Sequence, residues 1–473
     1  MAYIGVWFIC GLLSLTSVSA ANLYVRDVEQ FEKYTPRLAP GDTLVLQSDD
    51  EDSWRDVNLV FEGKGEPGRP IVLTARKPGK TDFTGRSRLR VLGRHLVVDG
   101  LVFRGGSLSG GSVISVGSSR GESAQDCRIT NTAVIDYNPD DPKVNYKWVS
   151  IYGRRNRVDH CYFEGQNHTG QTVVVWLDSE PGDHRIDHNY FAGRPPLGWN
   201  GGETVRVGTS SRSMDDSRTI IEGNLFENCD GEAEIISLKS CENVVRRNLF
   251  LGSAGAVTLR HGNRNRIEGN WFVGNGKGRT GGVRVIGEGH VIVNNHFEGL
   301  RGRGGRSTIS VMNGVPDPPL YGYWPVKGAL IAHNTMVDCV TMFDIGFGAG
   351  SRDRTVAPTG VRIIANLVRP ADIDKAIVVQ DSTAEITYRS NVWVGDGVPS
   401  VGFEARNISF SKDGLISSPS GYGGLEVIGM PDVTEDIDGH GRKIGVAGAD
   451  VDSSEDAEHR PPTRETVGPN WMR

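Results

Sequence analysis

Residues 231–241, with the sequence GEAEIISLKSC, bring two carboxylates and an amine close together in the chain. In a regular strand the side chains alternate between two faces, so Glu232 and Glu234 would share one face and Lys239 would lie on the other. The isoleucine pair at 235–236 interrupts this alternation, which is typical of a bend or a β-bulge. The interrupted pattern predicts that both glutamates and the lysine lie on the same exposed face.

Two glutamates and a lysine on one face allow two kinds of chemistry. The carboxylates can hold a hard cation such as Ca²⁺ through oxygen ligands, or they can pair with neighbouring cationic side chains. The amine can act as a general base where its surroundings favour the neutral form. An ordinary surface network of ion pairs is the structural alternative.

The elements that position these residues belong to a repeat. The strings HNYF, GNLF, RNLF, GNWF and NNHF recur along the chain, and weaker copies read HNTM, ANLV and SNVW. Their asparagines are 22–25 residues apart where no insertion intervenes, which indicates a repeat architecture. The repeated asparagines are Asn189, Asn224, Asn248, Asn270, Asn295, Asn334, Asn366 and Asn391.

Each repeat is predicted to be one coil of a β-solenoid with about three short strands. Val, Ile and Leu alternate with polar residues between Gly and Asn, and no repeat shows helical periodicity. The recurring Asn is predicted to form a ladder from coil to coil, and the Phe two residues later is predicted to stack inside. Equivalent positions of adjacent coils then lie about 4.8 Å apart.

The regular coils allow the relative positions of the charged residues to be predicted from the number of residues before the recurring Asn. Lys239, Arg260 and Arg284 precede the recurring Asn of their own coils by nine, ten and eleven residues. The three side chains are therefore predicted to form a column on the outside of the solenoid, with His261 beside it. Stacked cations repel each other, which favours a bound anion above them and a neutral lysine.

The coil before this column adds further polar residues in the segment WNGGETVRVG. Asn200, Glu203 and Arg206 lie there, at positions that bring them near the two glutamates. The chain as a whole has a net charge of −6, but the stretch from Lys239 to Arg306 has twelve basic and four acidic residues, a local net charge of +8. A basic stretch in an acidic chain favours a polyanionic ligand other than nucleic acid, with a solvated basic face as the alternative.

Composition predicts the signal peptide, the domain boundaries and the state of the cysteines. Residues 1–20 are predicted to be a secretory signal peptide, with a membrane anchor as the alternative, and residues 21–473 are predicted to be one domain, secreted or periplasmic. The acidic, Pro-rich C-terminal segment is predicted to wrap the outside or cap one end. Five cysteines remain after signal cleavage, an odd number that favours buried free thiols with one disulfide possible.

The motifs together resemble polysaccharide lyase family 6, which contains alginate lyases and chondroitinase B. The resemblance covers nearly all of the chain after the signal peptide, and it is carried by PGDTLVL, RPIVLTA, NGGETVRVGTS, GEAEIISLKSCEN, VTLRHGN, GGVRVIGEGH and VGPNW. It implies an all-β, right-handed parallel β-helix with loop insertions.

The resemblance also implies roles for individual residues. Lys239 matches the catalytic base and Arg260 the catalytic acid, while Arg206 and His261 match positions that contact the substrate. The implied calcium ligands are Asn200, Glu232 and Glu234. Geometry adds Arg284 and Glu203 as substrate contacts, and Tyr323 is added because the insertion at 301–326 is expected to wall the groove with aromatic rings.

The reaction implied by the resemblance is Ca²⁺-assisted β-elimination on a polyuronate, with alginate as the favoured substrate and the protein acting as a monomer or a dimer. Dermatan sulfate is the alternative substrate for the same site. A polyuronate C5-epimerase and a non-catalytic, glycan-binding β-helix are the alternatives from other functional classes. A binding module needs cations, but it does not need a lysine placed beside a metal site.

Overall fold

The computed structural model describes residues 20–47, 54–119, 121, 124–413, 416–420, 433–442, 445–450 and 457–473. The predicted signal peptide lies outside the described residues apart from Ala20, so its assignment stays a prediction. No helix within the described ranges has the length and apolar character that crossing a membrane requires.

Three long parallel sheets run the length of the molecule, and each coil of the chain contributes one strand to each of them. The first sheet contains Asn22–Val25, Thr43–Leu46, Ile71–Ala75, Leu96–Asp99, Arg128–Thr130, Arg157–Asp159, Arg185–Asp187, Ile220–Glu222, Val244–Arg246, Arg266–Glu268, Val291–Val293, Leu330–Ala332, Val361–Ile364 and Ile386–Arg389. We call the second sheet the site sheet. It contains Asn58–Lys64, Arg88–Arg94, Ser112–Val116, Ala124–Gln125, Lys147–Ile151, Val173–Val175, Val205–Gly208, Glu234–Lys239, Ala256–His261, Val283–Val285, Ile309–Met312, Phe343–Phe347 and Ile377–Val379.

The third sheet completes each coil. It contains Asp82–Phe83, Val102–Arg104, Ala133–Ile135, Tyr162–Glu164, Tyr190–Arg194, Leu225–Cys229, Leu249–Leu251, Trp271–Val273, His296–Glu298, Thr335–Cys339, Leu367–Pro370, Asn391–Trp393 and Phe403–Ala405. The chain is therefore a right-handed parallel β-helix, as predicted. Outside these sheets lie one antiparallel hairpin and short helices: Ser409–Asp413 with Ile416–Ser420, α-helices Val28–Tyr34 and Ile373–Ala376, and 3₁₀ turns Thr35–Arg37, Ser210–Arg212, Gly304–Arg306 and Asn470–Met472.

The N-terminal α-helix closes one end of the solenoid. Asp27 caps it by accepting a hydrogen bond from the Gln30 backbone N–H at 2.8 Å. Phe31 of this helix is 1% exposed and belongs to the main apolar core, which extends from Val25 to Trp393.

The predicted asparagine ladder forms at the bend between the first and third sheets. From Asn189 onward, each buried Asn donates from Nδ2 to Oδ1 of the next ladder Asn at 2.9–3.0 Å. The same Oδ1 also accepts the backbone N–H of the preceding ladder Asn, so each bend satisfies polar groups that would otherwise be buried without partners. In the coils before Asn189, Thr132 and Cys161 occupy this position.

The predicted phenylalanine stack fills the interior next to the ladder. Consecutive ring centroids along the stack are 4.5–5.1 Å apart, close to the strand spacing, and the rings are nearly parallel. The stacked residues are Phe163, Phe191, Phe226, Phe250, Phe272 and Phe297.

The bend between the site sheet and the first sheet carries a second, shorter ladder that the repeat motif did not indicate. Asn243 donates from Nδ2 to Asn265 Oδ1 at 2.9 Å, and the Asn265 backbone N–H donates to His290 Nδ1 at 3.2 Å. This bend immediately follows the strands that bear the candidate catalytic residues, so the ladder holds their C-terminal ends in place.

The C-terminal segment runs along the outer face of the third sheet, as predicted for a wrapping tail. Arg464 forms an ion pair with Glu227 at 2.6 Å, and the Trp471 indole donates to the Asn131 carbonyl at 2.6 Å. Val467 belongs to a small apolar cluster that also contains Leu225 and Leu249. The tail thus bridges several coils.

The cysteines are buried free thiols, as predicted. Cys127, Cys161, Cys229, Cys241 and Cys339 are all unpaired in the part of the chain that the structure describes. The disulfide that the odd count left open does not form there.

Candidate active site

A bulge at Ile235 brings the charged residues onto one face, as the interrupted alternation predicted. In the strand pair Glu234–Lys239 and Ala256–His261, Glu234 pairs with Ala256 and Ile236 pairs with Val257, which leaves Ile235 as an extra residue. Both isoleucines are buried, at 2% and 0% exposed. Glu234 therefore lies on the outer side of the strand, where its carboxylate accepts a hydrogen bond from Ser237 Oγ.

A second bulge in the neighbouring strand shapes the position of Arg260. Leu238 pairs with Leu259 but Lys239 pairs with His261, so Arg260 is the extra residue of its strand. Arg260 and His261 both lie beside Lys239 as a result. Lys239 and Arg260 are therefore neighbours, as their separations from the recurring Asn of each coil predicted.

The prediction that Arg284 belongs to the column with Lys239 and Arg260 is wrong. The register pairs Thr258 with Arg284, and pairs Ser237 with both Thr258 and Arg206. Arg284 therefore lies in the same row as Arg206, on a line next to Lys239 and not above it. The prediction failed because Arg284 is eleven residues before its ladder Asn, which is the separation of Ser237 from Asn248 and not that of Lys239.

Three carboxylates meet at the N-terminal end of the site strands. One oxygen each of Glu203, Glu232 and Glu234 lies within 4.8 Å of the others. Glu203 was predicted as a substrate contact, but the structure groups it with the predicted metal ligands. Asn200, predicted as a ligand, is exposed in the same loop, and the neighbouring Gly201 N–H donates to Glu232 at 3.1 Å.

The electrostatics of the cluster favour a cation. Burial, reinforced by the charges of Glu203 and Glu234, raises the pKa of Glu232 to about 7. Burial also disfavours the Glu203 carboxylate, but the charge of Lys239 and a hydrogen bond from Gln171 outweigh it and hold the Glu203 pKa below its usual value. An all-oxygen donor set under mutual repulsion is suited to a hard divalent cation.

The Lys239 amine lies at the edge of this cluster. Its Nζ is 3.4 Å from Glu203 Oε1, and 17% of the side chain is exposed. The other oxygen of Glu203 accepts a hydrogen bond from Gln171 Nε2 at 2.7 Å, which fixes the carboxylate. The lysine is thus held close to the proposed cation position and remains accessible from the groove.

The Arg260 guanidinium is held by the inserted loop that was predicted to wall the groove. It donates to the carbonyl oxygens of Gly322 and Tyr321 at 3.2 and 3.4 Å, and its Cζ is 4.3 Å from the centroid of the Tyr323 ring. The Tyr323 ring is therefore part of the site because it packs against the Arg260 guanidinium. Tyr321 is 68% exposed on the same loop.

Arg206 is placed by an aromatic stack that the repeat motif did not indicate. Its guanidinium carbon lies 5.0 Å from the Trp176 ring, and Trp176 stacks on Tyr152 at 5.8 Å with nearly parallel planes. Gly208 follows Arg206 in the strand and pairs with Lys239. A side chain at Gly208 would reach within 2.6 Å of the Lys239 carbonyl oxygen, so a glycine here allows the two strands to approach closely.

His261 is neutral at the site. Burial, then the charges of Arg260 and Lys239, lowers its pKa to about 3. Its Nδ1 is 3.3 Å from Arg260 Nη1, and its Nε2 is 3.1 Å from Ser210 Oγ. The imidazole, predicted to contact the substrate, is only 1% exposed, and its two ring nitrogens lie against Arg260 and Ser210 within the protein.

This chain is similar to known proteins in both sequence and structure. The family model described as Chondroitinase B matches residues 25–413. The solved structure of the PL6 family alginate lyase AlyGC is similar at 36% identity and a TM-score of 0.85, and the match covers 96% of this chain. The chain belongs to polysaccharide lyase family 6. The resemblance stated from the motifs is confirmed.

Other solved family 6 structures are also similar to this chain. A family 6 lyase from human gut microbiota, described as specific for mannuronic acid, is 32% identical with a TM-score of 0.73, over 84% of this chain and 92% of its own. The family 6 lyase Pedsa3628 from Pseudopedobacter saltans shares the fold at 24% identity and a TM-score of 0.71, over 95% of this chain and 99% of its own. The chain spans 59% of the length of AlyGC. No curated protein sequence matches it.

Proposed function

We propose that this family 6 protein is an alginate lyase that cleaves polyuronate chains by β-elimination. The observation that carries the proposal is the placement of Lys239 and Arg260 in adjacent strands beside three clustered carboxylates. The names of the two relatives at 36% and 32% identity support alginate, since one is an alginate lyase and the other is described as specific for mannuronic acid.

We propose Ca²⁺ as the cation, held by Glu203, Glu232 and Glu234. The three carboxylates fit this ion because they supply only hard oxygen donors, and because a positive charge offsets their burial and mutual repulsion. Asn200 is close enough in sequence to contribute an amide oxygen. When bound, the ion withdraws charge from a uronate carboxylate and so acidifies the C5 proton.

The protein's own residues account for the proton transfers. Lys239 removes the C5 proton, the C4–O4 bond breaks, a C4–C5 double bond forms, and O4 leaves with a proton. Arg260 donates hydrogen bonds to the departing O4. Because a guanidinium gives up its own proton reluctantly, a water molecule relays to O4 the proton that Lys239 has taken from C5, which returns the amine to its neutral form. Arg206 and Arg284, in one row on either side of Ser237, bind carboxylates of the chain.

Dermatan sulfate is the second candidate substrate. The observation that favours it is the match of residues 25–413 to the family model described as Chondroitinase B. The chemistry at Lys239 and Arg260 would be the same, since dermatan sulfate also contains a uronate.

We also propose that the protein acts outside the cytoplasm, secreted or periplasmic, as a monomer. The apolar N-terminal segment that ends in small residues supports export. Cell fractionation together with N-terminal sequencing of the mature protein tests the location and the cleavage after Ala20. Light scattering of the purified protein tests the monomer.

The function is tested by following the ultraviolet absorbance of the unsaturated product. The mature protein is incubated with alginate, with its mannuronate and guluronate blocks, and with dermatan sulfate, before and after chelation. We expect elimination on alginate that chelation abolishes and added Ca²⁺ restores. The absence of product on every polyuronate would refute the lyase, and full activity after exhaustive chelation would refute the calcium role.

The Lys239→Ala variant tests the base. Loss of a general base lowers kcat by roughly a hundredfold to ten-thousandfold. Lys327→Ala is the matched control, because Lys327 is an exposed lysine paired with Glu288 away from the groove. Retained activity in Lys239→Ala would refute the assignment.

A further inference from the structure

The buried side chain of Arg194 contacts the backbone of the candidate cation site, and neither the repeat nor the motifs indicated it. Arg194 ends the strand Tyr190–Arg194 of the third sheet and is 3% exposed. A guanidinium that is removed from solvent must find partners for its N–H groups inside the protein. The groups that accept its hydrogen bonds therefore show which parts of the chain the arginine holds together.

The Arg194 guanidinium donates five hydrogen bonds to two consecutive coils. Its Nη1 donates to the Glu203 carbonyl at 2.9 Å, and the other four bonds go to the loop 166–172, which precedes the site-sheet strand Val173–Val175. The four acceptors in that loop are Gln166 Oε1 at 2.7 Å, Thr172 Oγ1 at 2.9 Å, the Gly170 carbonyl at 2.7 Å and the His168 carbonyl at 3.4 Å. One side chain thus fixes the loop 166–172 relative to Glu203.

The same loop orients the carboxylate of Glu203. Gln171 Nε2 donates to Glu203 Oε2 at 2.7 Å. Arg194 holds the main chain on both sides of this contact, at Gly170 and at Glu203. The other oxygen of the Glu203 carboxylate is 3.4 Å from Lys239 Nζ. The direction of this carboxylate therefore depends on a series of contacts that begins at Arg194.

A glycine at position 231 allows the next coil to reach the same guanidinium. A Cβ at Gly231 would lie 2.6 Å from Arg194 Nε and 2.2 Å from the Gly202 carbonyl oxygen. A residue with a side chain cannot approach its neighbours so closely. Gly231 immediately precedes Glu232, so the coil that bears the second carboxylate of the cluster also packs against Arg194.

The hydrogen bonds of Arg194 do not balance its positive charge. All five acceptors are neutral oxygens, namely three backbone carbonyls, one side-chain amide and one hydroxyl. Burial lowers the pKa of Arg194 to about 10, and the charges of Glu203 and Glu232 are among the effects that oppose this shift. The guanidinium is therefore still a cation at neutral pH. Because a buried charge is costly without an opposite charge nearby, the arginine and the two carboxylates stabilise one another.

We propose that Arg194 is a positioning residue for the cation site, which fixes the loop 166–172 and through Gln171 holds the Glu203 carboxylate in place for Ca²⁺. The inference rests on the proposed function, because it takes Ca²⁺ as the cation. Arg194 is buried in the protein, so its effect on the site comes through Gln171 and Glu203. Removing a residue that orients a metal ligand typically lowers metal affinity by roughly tenfold to a hundredfold.

The test measures Ca²⁺ binding by calorimetry for the unaltered protein, Arg194→Lys, Gln171→Met and the double variant. Arg194→Lys keeps the charge but cannot make the forked set of five bonds, so we expect its Kd for Ca²⁺ to rise roughly tenfold to a hundredfold. Gln171→Met should weaken binding by a similar factor. The double variant should bind little more weakly than either single variant, because both residues act through Glu203.

Asn366→Ala is the control for a general loss of stability, because Asn366 belongs to the asparagine ladder several coils away from the site. We expect this variant to melt at a lower temperature and to keep its Kd for Ca²⁺ within about twofold of the unaltered protein. Unchanged Ca²⁺ affinity in Arg194→Lys would overturn the proposal, and so would an equal loss of affinity in Asn366→Ala.

Hydrogen exchange of the metal-free protein separates this inference from the calcium proposal. Arg194→Lys is expected to speed exchange of the backbone N–H groups in segments 166–173 and 201–204, and to leave the ladder of the later coils unchanged. If the unaltered protein binds no Ca²⁺ and Arg194→Lys still loosens only these two segments, the positioning of Glu203 stands although the calcium role fails. Unchanged exchange in both segments would overturn the positioning role.

Discussion

Trp176 shows how one side chain outside the motifs determines what a predicted residue can do. The Arg206 guanidinium is partly buried, and burial lowers its pKa. Its position therefore depends on the side chains that pack against it. The stack of Tyr152 and Trp176 supplies a flat π surface against which the guanidinium lies. The orientation of Arg206 therefore depends on Tyr152 and Trp176, which belong to the two preceding coils.

The Trp176→Leu variant is expected to raise KM for alginate roughly fivefold to thirtyfold, because Arg206 loses a cation–π contact worth about 1–2 kcal/mol. Trp176→Phe keeps a ring and should recover most of the affinity. Steady-state kinetics with melting temperatures measured in parallel check this. Equal kinetic losses in both variants would contradict the role of the ring face.

The ladders and bulges are the elements that hold the site sheet in register. The bulges at Ile235 and Arg260 occur on neighbouring strands, and together they place Lys239 beside His261. The ladder asparagines determine where each coil turns, so errors in one coil would pass to the next. The elements are therefore coupled along the solenoid axis.

Asn248→Ala is expected to lower the free energy of unfolding by about 2–4 kcal/mol, because it leaves backbone groups of adjacent coils buried without partners. Chemical denaturation measures the change. Asn167→Ala removes an exposed asparagine and serves as the control. A loss of less than about 0.5 kcal/mol for Asn248→Ala would show that the ladder contributes little.

At the scale of the whole molecule, buried histidines make stability depend on pH. Burial lowers the pKa of each of five histidines to about 3 or 4. They are His168, His184, His261, His290 and His333. The unfolded chain binds protons at these residues below about pH 6.5, whereas the folded chain does not until about pH 4.

The free energy of unfolding is therefore expected to fall as the pH is lowered from about 6.5 to 4, by up to about 1.4 kcal/mol per pH unit for each histidine. Chemical denaturation at a series of pH values gives the slope. His290→Gln should reduce that slope by about one proton, even if it also lowers stability at pH 7. A stability that stays constant across this range would contradict the burial of neutral histidines.

Much of the fold and part of the site follow from local patterns. The recurring Asn and the Phe two residues later predicted the solenoid, the ladder and the stack, because a position repeated in each coil must lie above itself. The Ile235-Ile236 pair predicted the bulge, since two adjacent buried side chains cannot belong to one alternating strand. Lys239 beside Arg260 followed from the same counting.

Tertiary structure alone decided what depends on the register between coils or on loops of unequal length. Counting placed Arg284 above Lys239, but the structure pairs it with Thr258, because its eleven-residue separation from the ladder Asn is that of Ser237 and not that of Lys239. Gln171 reaches the site from a coil whose spacing carries no repeat signal. The sequence by itself determined the coil and the chemistry that its charged residues can perform. Folding decided which of them meet, because distance across a solenoid is set by register and not by separation along the chain.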